Sequence, residues 1–265
     1  MLYFPPLLSG AASHFPIARR SVRRTIVNTS IDGSRLKLVD PGWSSVEWKL
    51  ELRGLTTEEW NAIESLFHAV EGRRGSFTFL DPTDNLLAWS EDLSGGVWVK
   101  DSSLQLSPDI SDPLGSQKAT RISNGTQSPL SIQQALNIPS WYQYCLSLYA
   151  RSDQSTQISL FRSTTTTQRR ESFRIGPVWA RIEHSGKLTD SSELINFGME
   201  LEGGQTVDVF GWQLENQMGA SRYKKTLARS GVYASASFQD DFLSVTTEGP
   251  DQHSCLLRIR AQTQD

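Results

Sequence analysis

From Asn85 to Leu214 the chain is a succession of short β-forming runs separated by turn residues, and no run in it carries a helical period. The runs Ala119–Ile122, Ser131–Leu136, Tyr142–Ala150, Gln157–Phe161, Glu171–Ile175, Val178–Glu183, Leu194–Leu201 and Thr206–Leu214 recur at roughly 8–12-residue spacing, which predicts a β-sandwich or jelly roll. In the third run Tyr142, Tyr144, Leu146, Leu148 and Ala150 fall on one face. In the last, Val207 and Val209 oppose Phe210, Trp212 and Leu214, so both faces of that strand are expected to be partly covered.

The flanks have a different texture. Val46 through Arg53 sets Val46, Trp48, Leu50 and Leu52 on one face and four charged residues on the other, a half-buried antiparallel strand. Thr56 and Glu59 form a capping box, followed by an apolar stripe of Trp60, Ile63, Leu66, Phe67 and Val70, with Gly72 at the helix exit. A short strand is expected at Ser76–Leu80, ending at Asp81-Pro82. After Thr226, alternation returns in His253, Cys255, Leu257, Ile259 and Ala261. A tail this short has no core of its own and must pair with another part of the chain. The expected organisation is a split domain of residues 1–84 and 226–265, carrying residues 85–225 as an insertion. The fold class is therefore mainly β: a split antiparallel β domain with one packed α-helix, plus an inserted β-sandwich of jelly-roll type.

Composition removes several classes of function. The 26 Lys and Arg against 29 Asp and Glu give a net charge of −3, with no basic domain of the kind a dedicated nucleic-acid binder needs. Apolar residues make up 37%, and the shortfall is filled by Ser, Thr and Gln rather than by charge, so a folded chain with much polar strand surface is expected. No run approaches the ~20 apolar residues of a membrane-spanning helix. Met1–Leu8 is apolar but lacks a basic start and contains Pro5 and Pro6, so it does not read as a signal peptide. Cys145 and Cys255 lie in alternating apolar runs and read as two buried thiols in a chain made in a reducing cytoplasm.

Chemistry-bearing motifs are scarce. His14, His68, His184 and His253 have no metal-ligand spacing, and neither Gly-x-Ser-x-Gly nor Gly-x-Gly-x-x-Gly occurs. Ser185-Gly186-Lys187-Leu188-Thr189 fails as a phosphate loop, because Arg181 and Leu188 stand where a glycine and a hydroxyl are needed. Asp240 and Asp241 are adjacent, so in a strand their carboxylates diverge. Asp109 and Asp112, beside Pro108 and Pro113, read as a solvated turn before a calcium site. No catalytic residue, metal or cofactor is expected.

Binding candidates are fewer than the aromatic content promises. Trp141 follows Pro139-Ser140 at a strand start and is a candidate rim aromatic for stacking on a sugar, as is Tyr142, although alternation also places Tyr142 with the core set. Trp98 and Trp179 read as core plugs. The run Arg19, Arg20, Arg23 and Arg24 is the one concentrated charge, read as a solvated arm or an ion-pairing subunit contact ahead of a DNA contact. Trp43, after Pro41-Gly42, is a candidate interface anchor or a locally packed ring.

These residues carry a resemblance. Asn85 through Leu93 with Trp98 and Lys100, then Val207 through Glu215 with Tyr223 and Thr226, resembles the opening and closing of a carbohydrate-binding-module-like jelly roll. Tyr144 through Arg151 and Trp179 through Ile182 fit its middle strands. The flanks resemble distal-tail and minor-tail proteins of long-tailed phages, in Trp48–Arg53, Thr56–Val70, Arg73–Pro82 and closing strands near Phe238–Val245 and His253–Ala261. The resemblance implies a structural tail-tip subunit, assembled in the host cytoplasm. It implies a ring, commonly hexameric, that joins tail tube to hub, while the sandwich projects and touches host-surface polysaccharide. The alternative is a free-standing carbohydrate-binding protein. Neither reading calls for specific nucleic acid or membrane insertion.

Overall fold

A computed structural model describes residues 1–263 of the chain. The chain divides into two compact units: Met1–Leu8, Ala12–Thr83 and Val232–Asp265 form the first, and Ser9–Ala11 with Asp84–Gly231 form the second. The insertion thus closes six residues later than the 225/226 boundary expected from the sequence. The reason is pairing: Trp89 N–H donates to Leu227 O at 2.8 Å and Gly231 N–H to Asn85 O at 2.7 Å, which ties residues 226–231 to the sandwich.

In the first unit β1 (Ile17–Thr29), β2 (Arg35–Leu55), β3 (Phe77–Leu80), β14 (Val232–Phe238), β15 (Val245–Gly249) and β16 (Gln252–Gln262) make one antiparallel sheet in the order β1-β2-β16-β14-β3, with β15 on β16. The helix α1 (Thr57–Ala69) has the expected capping box, with both reciprocal bonds between Thr56 and Glu59 in place. Its buried Trp60, Ile63 and Leu66 join Trp48, Leu50, Leu52, Phe77, Phe79, Leu257 and Ile259 in one core. Each of these side chains contributes about 1.5–3 kcal/mol by leaving water. The chain leaves the helix through Glu71 and Gly72, at φ 54° and 65°.

One expectation for this unit needs correction: the closing strand lies at Val232–Phe238, and most of Phe238–Val245 is loop. Asp40–Trp43 sits inside β2, and the side chains of Pro41 and Gly42 lie outside the described residues. The strand is long because β1 pairs with it from Ile17↔Leu50 to Thr29↔Arg35, while β16 pairs only with Ser45–Leu55. Beyond Ser44 the hairpin is a two-stranded ribbon.

The second unit is a sandwich of ten strands: β4 (Trp98–Lys100), β5 (Leu104–Ile110), β6 (Ala119–Asn124), β7 (Leu130–Leu136), β8 (Tyr144–Arg151), β9 (Thr156–Ser163), β10 (Gln168–Ile175), β11 (Ala180–Gly186), β12 (Ile195–Leu201) and β13 (Thr206–Glu215). One sheet runs β10-β9-β12-β7-β4 and the other β11-β8-β13-β6-β5. Within β6–β13 the first strand pairs with the last, β7 with β12, β8 with β11 and β9 with β10. That nesting of antiparallel pairs, folded over into two sheets, is jelly-roll topology. Strands β4 and β5 extend one edge of each sheet and were not expected as strands, being short or interrupted by Pro108. Asp109 accordingly lies in β5 rather than in a turn, while Asp112 is buried and its carboxylate accepts from Leu114 N–H at 2.8 Å and Lys118 N–H at 3.0 Å.

Candidate functional site

The β10-β9-β12-β7-β4 sheet has one face in the core and one polar face. Register decides which side chains share it, because directly opposed residues point the same way. Arg170 opposes Phe161, Phe161 opposes Gly198, and Gly198 opposes Gln133. One step along, Ser159 opposes Glu200 and Glu200 opposes Ser131. The outer face is therefore built of hydroxyls, amides and an Arg170–Glu200 ion pair at 2.9 Å.

A groove of about 400 Å³ lies on this face, lined by Ser131, Gln133, Phe161, Ser163, Glu200 and the segment Thr164–Gln168. Phe161 is only 4% exposed, so it is floor rather than platform. It lies across Gly198, where an added Cβ would come within 2.7 Å of Phe161 Cζ and 2.4 Å of Ile132 O. Only a glycine lets the ring lie so low.

The threonine loop is held in place by a partly buried network. Asp190 accepts from Ser140 Oγ and Thr164 Oγ1, both at 2.5 Å, and from Thr166 Oγ1 at 3.2 Å. Burial pushes the Asp190 carboxyl up, and the hydrogen bonds from Ser140 and Thr164 outweigh it, holding the group well below the usual carboxylate range. The loop is thus a positioned wall. It offers a ligand hydroxyl donors and acceptors together, which suits a polyol.

A second polar region of the sandwich centres on Asp208. Its 3%-exposed carboxylate accepts from Arg121 Nε at 2.7 Å and Arg151 Nε at 3.1 Å, and Arg151 stacks on Trp179 at 4.9 Å. The pair of guanidiniums is already answered by this carboxylate, and Asp153 lies 3.7 Å from Arg121. The region reads as a structural ion network.

The aromatic candidates separate. Trp141 is 37% exposed and meets Tyr142 edge-on at 5.9 Å, whereas Tyr142 is 3% exposed and presents no ring to a ligand. Its burial follows the alternation that placed it with the core set. Trp141 follows Ser140, the residue bonded to Asp190, but it does not line the groove. Trp98 is buried against Trp212 at 4.9 Å. The groove residues Phe161, Gln133, Gly198 and Glu200 are ones that sequence reasoning did not single out. The only local signal was the run Thr164-Thr165-Thr166-Thr167 between two expected strands.

In the first unit the arginine run occupies β1 and is largely neutralised within the chain. Arg19 meets buried Asp81 at 2.7 Å, Arg20 meets Glu47 at 2.5 Å, and Arg24 pairs with Asp40. Arg23 is exposed. Trp43, 40% exposed, has the Arg24 guanidinium over its ring at 5.0 Å and that of Arg260 at 4.7 Å, so the ring is packed locally. Both cysteines are buried and outside any disulfide, and burial pushes the pKa of each thiol up to about 11. Among the described residues no group of three or more His, Cys, Asp or Glu is gathered as a metal site, and no helix is long and apolar enough to cross a membrane.

No protein-family model matches the chain, and no curated protein matches its sequence. Solved structures resemble about half of the chain. A family 61 carbohydrate-binding module, TmCBM61, solved with β-1,4-galactotriose, is 14% identical with a TM-score of 0.41, over 50% of this chain and 99% of that one. The CBM22-1 xylan-binding domain of Xyn10C from Paenibacillus barcinonensis is 10% identical with a TM-score of 0.41, over 52% and 97%. The enzymatically active domain of tailspike protein 4 from bacteriophage CBA120 is 9% identical with a TM-score of 0.41, over 52% of this chain and 22% of that one.

Proposed function

We propose that this is a non-catalytic glycan-binding protein, whose sandwich holds a polysaccharide along the open polar face of the β10-β9-β12-β7-β4 sheet. The observation that carries this is the groove: a fixed threonine wall, the Gln133 amide and the Glu200 carboxylate over a floor flattened by Phe161 on Gly198. Side chains of this kind exchange hydroxyl–water bonds for hydroxyl–protein bonds, and a sheet face is long enough to follow several sugar rings. Pre-organisation by Asp190 lowers the ordering cost of binding.

The test is binding of the full-length protein to a glycan array and to insoluble polysaccharides in pull-down. Retention of at least one polysaccharide class is expected, weakened by Gln133→Ala and by Thr164→Ala. Silence on every glycan and polysaccharide would overturn it.

A second reading concerns the first unit and rests on its ribbon. Ile26, Leu36, Leu38 and Val39 are 41%, 58%, 43% and 73% exposed on a two-stranded extension. Exposed apolar surface on such an element favours burial against other chains. Under this reading the unit is a distal-tail or minor-tail ring subunit at a virion tail tip, meeting tail tube and hub proteins, and the sandwich reaches host-surface polysaccharide. Cyclic assembly buries one patch against a different one on the neighbour. Light scattering at increasing concentration is expected to give a closed oligomer that Ile26→Lys with Leu38→Lys abolishes. A monomer at every concentration, also with tube and hub proteins added, would count against it.

A further inference from the structure

Among the described residues three non-glycine side chains sit on left-handed backbone: Glu71, Trp89 and Asp109. Glu71 is explained by the exit of α1. Trp89, at φ 51°, and Asp109, at φ 61°, belong to no helix exit, and both line one pocket of the sandwich of about 340 Å³. A residue with a β-carbon adopts this region only where its surroundings impose it.

The surroundings do so at both positions. Trp89 N–H donates to Leu227 O at 2.8 Å, and its carbonyl accepts from Trp98 Nε1 at 3.1 Å, so the backbone is clamped from two sides and the half-buried indole is held at the pocket. Asp109 owes its position to a bulge: β5 pairs Ser107 with Arg121 and then Ile110 with Ala119, leaving Pro108 and Asp109 opposite one residue of β6. A bulge re-aims the side chain it carries, and here that side chain is an exposed carboxylate lining the pocket. Glu91 is fixed as well, accepting from Tyr223 Oη at 3.2 Å and Lys225 Nζ at 2.5 Å.

We propose that this pocket binds one neutral pyranose ring, with its C–H face on the Trp89 indole and its hydroxyls bonded to the Asp109 carboxylate and the Lys118 ammonium. An aromatic face beside converging acceptor and donor groups matches the amphipathic surface of a sugar. The lining carries Glu91, Asp92 and Asp109 against Lys118 and Lys225, so an anionic ligand is opposed. The volume of about 340 Å³ has room for one ring. The site does not share residues with the open-face groove and stands independently of that reading.

The experiment follows tryptophan indole N–H signals of the full-length protein by NMR during titration with the methyl glycosides of glucose, galactose, mannose and N-acetylglucosamine. Trp89→Phe assigns the signal. Saturable movement of the Trp89 signal with at least one glycoside is expected, and Gln133→Ala leaves it unchanged. Asp109→Gly removes the carboxylate while giving the left-handed position a residue that favours it, so affinity falls by about tenfold or more while Tm holds or rises. No movement of Trp89 with any of the four overturns the proposal. So does an unchanged affinity in Asp109→Gly, or a response to glucuronic acid alone.

Discussion

Thr164 Oγ1 donates to Asp190 Oδ2 at 2.5 Å and so fastens the β9–β10 loop to the segment joining β11 and β12. The same carboxylate takes the Ser140 hydroxyl, which is fully buried. Asp190→Ala removes the carboxylate that both hydroxyls share, leaving Ser140 Oγ only the residue-190 carbonyl at 2.9 Å, and is expected to cost about 1–3 kcal/mol, measured as a fall in denaturant midpoint. Because the carboxyl is held below its unfolded value near 3.9, its contribution is fully present above about pH 5 and is lost as pH falls below about 4. The stability gap between wild type and Asp190→Asn should therefore close on acidification; a gap constant to pH 3 would contradict the assignment.

Gly198→Ala tests the floor of the groove. The new Cβ would meet Ile132 O at 2.4 Å, Gln133 Cβ at 2.7 Å and Phe161 Cζ at 2.7 Å, and two of these are backbone or near-backbone atoms of the sheet. Relief requires Phe161 to lift or β12 to shift, costing about 1–3 kcal/mol. Polysaccharide retention should fall with it. Phe161→Leu shortens the contacting side chain and is expected to restore part of the lost stability in the double variant; strictly additive losses would mean the clash lies elsewhere.

How much of this was readable follows from which contacts are local. The α1 box of Thr56 and Glu59 and the stripe from Trp60 to Leu66 are encoded within a few residues of each other, and they stand as read. So does the mainly β class with a sandwich after Asn85. The ribbon was not legible, because β1 lacks a buried face and its alternation of Arg, Thr and Val has no period set by burial. The groove was not legible either. Phe161, Gly198 and Gln133 are neighbours only through register across three strands, and no spacing along the chain reports register. Trp141 is a candidate by the opposite logic, from its own type and flanks, and it is 37% exposed but lies outside the groove.

The helix start carries a separate prediction. Glu59 closes the capping box and also accepts from Leu8 N–H at 2.7 Å, so it holds an amino-terminal residue as well as the first turn. Thr56→Ala should cost about 1 kcal/mol. Glu59→Ala should cost more than that, since it orphans Leu8 N–H too, and amide exchange at Leu8 should quicken in the second variant alone. Equal losses in the two variants would show that the Leu8 bond contributes nothing.

His184 supplies the pH dependence of the sandwich nearest neutrality. Its ring is 7% exposed and contacts Glu171 Oε2 at 3.1 Å through Nδ1, with the Arg162 charge acting on it. Burial first, and the Arg162 charge second, hold the imidazole below its ordinary value, against the pull of Glu171. The folded chain therefore binds this proton less readily than the unfolded chain, whose histidine titrates near 6.5. Stability from the neutral ring is present above about pH 6.5 and declines as pH falls below it. Urea midpoints of wild type should drop between pH 7.5 and pH 5, and His184→Gln, which keeps a polar planar side chain without the titration, should drop less. A wild-type midpoint that rises on acidification through this window would mean that Glu171 dominates the ring and that the sign is reversed.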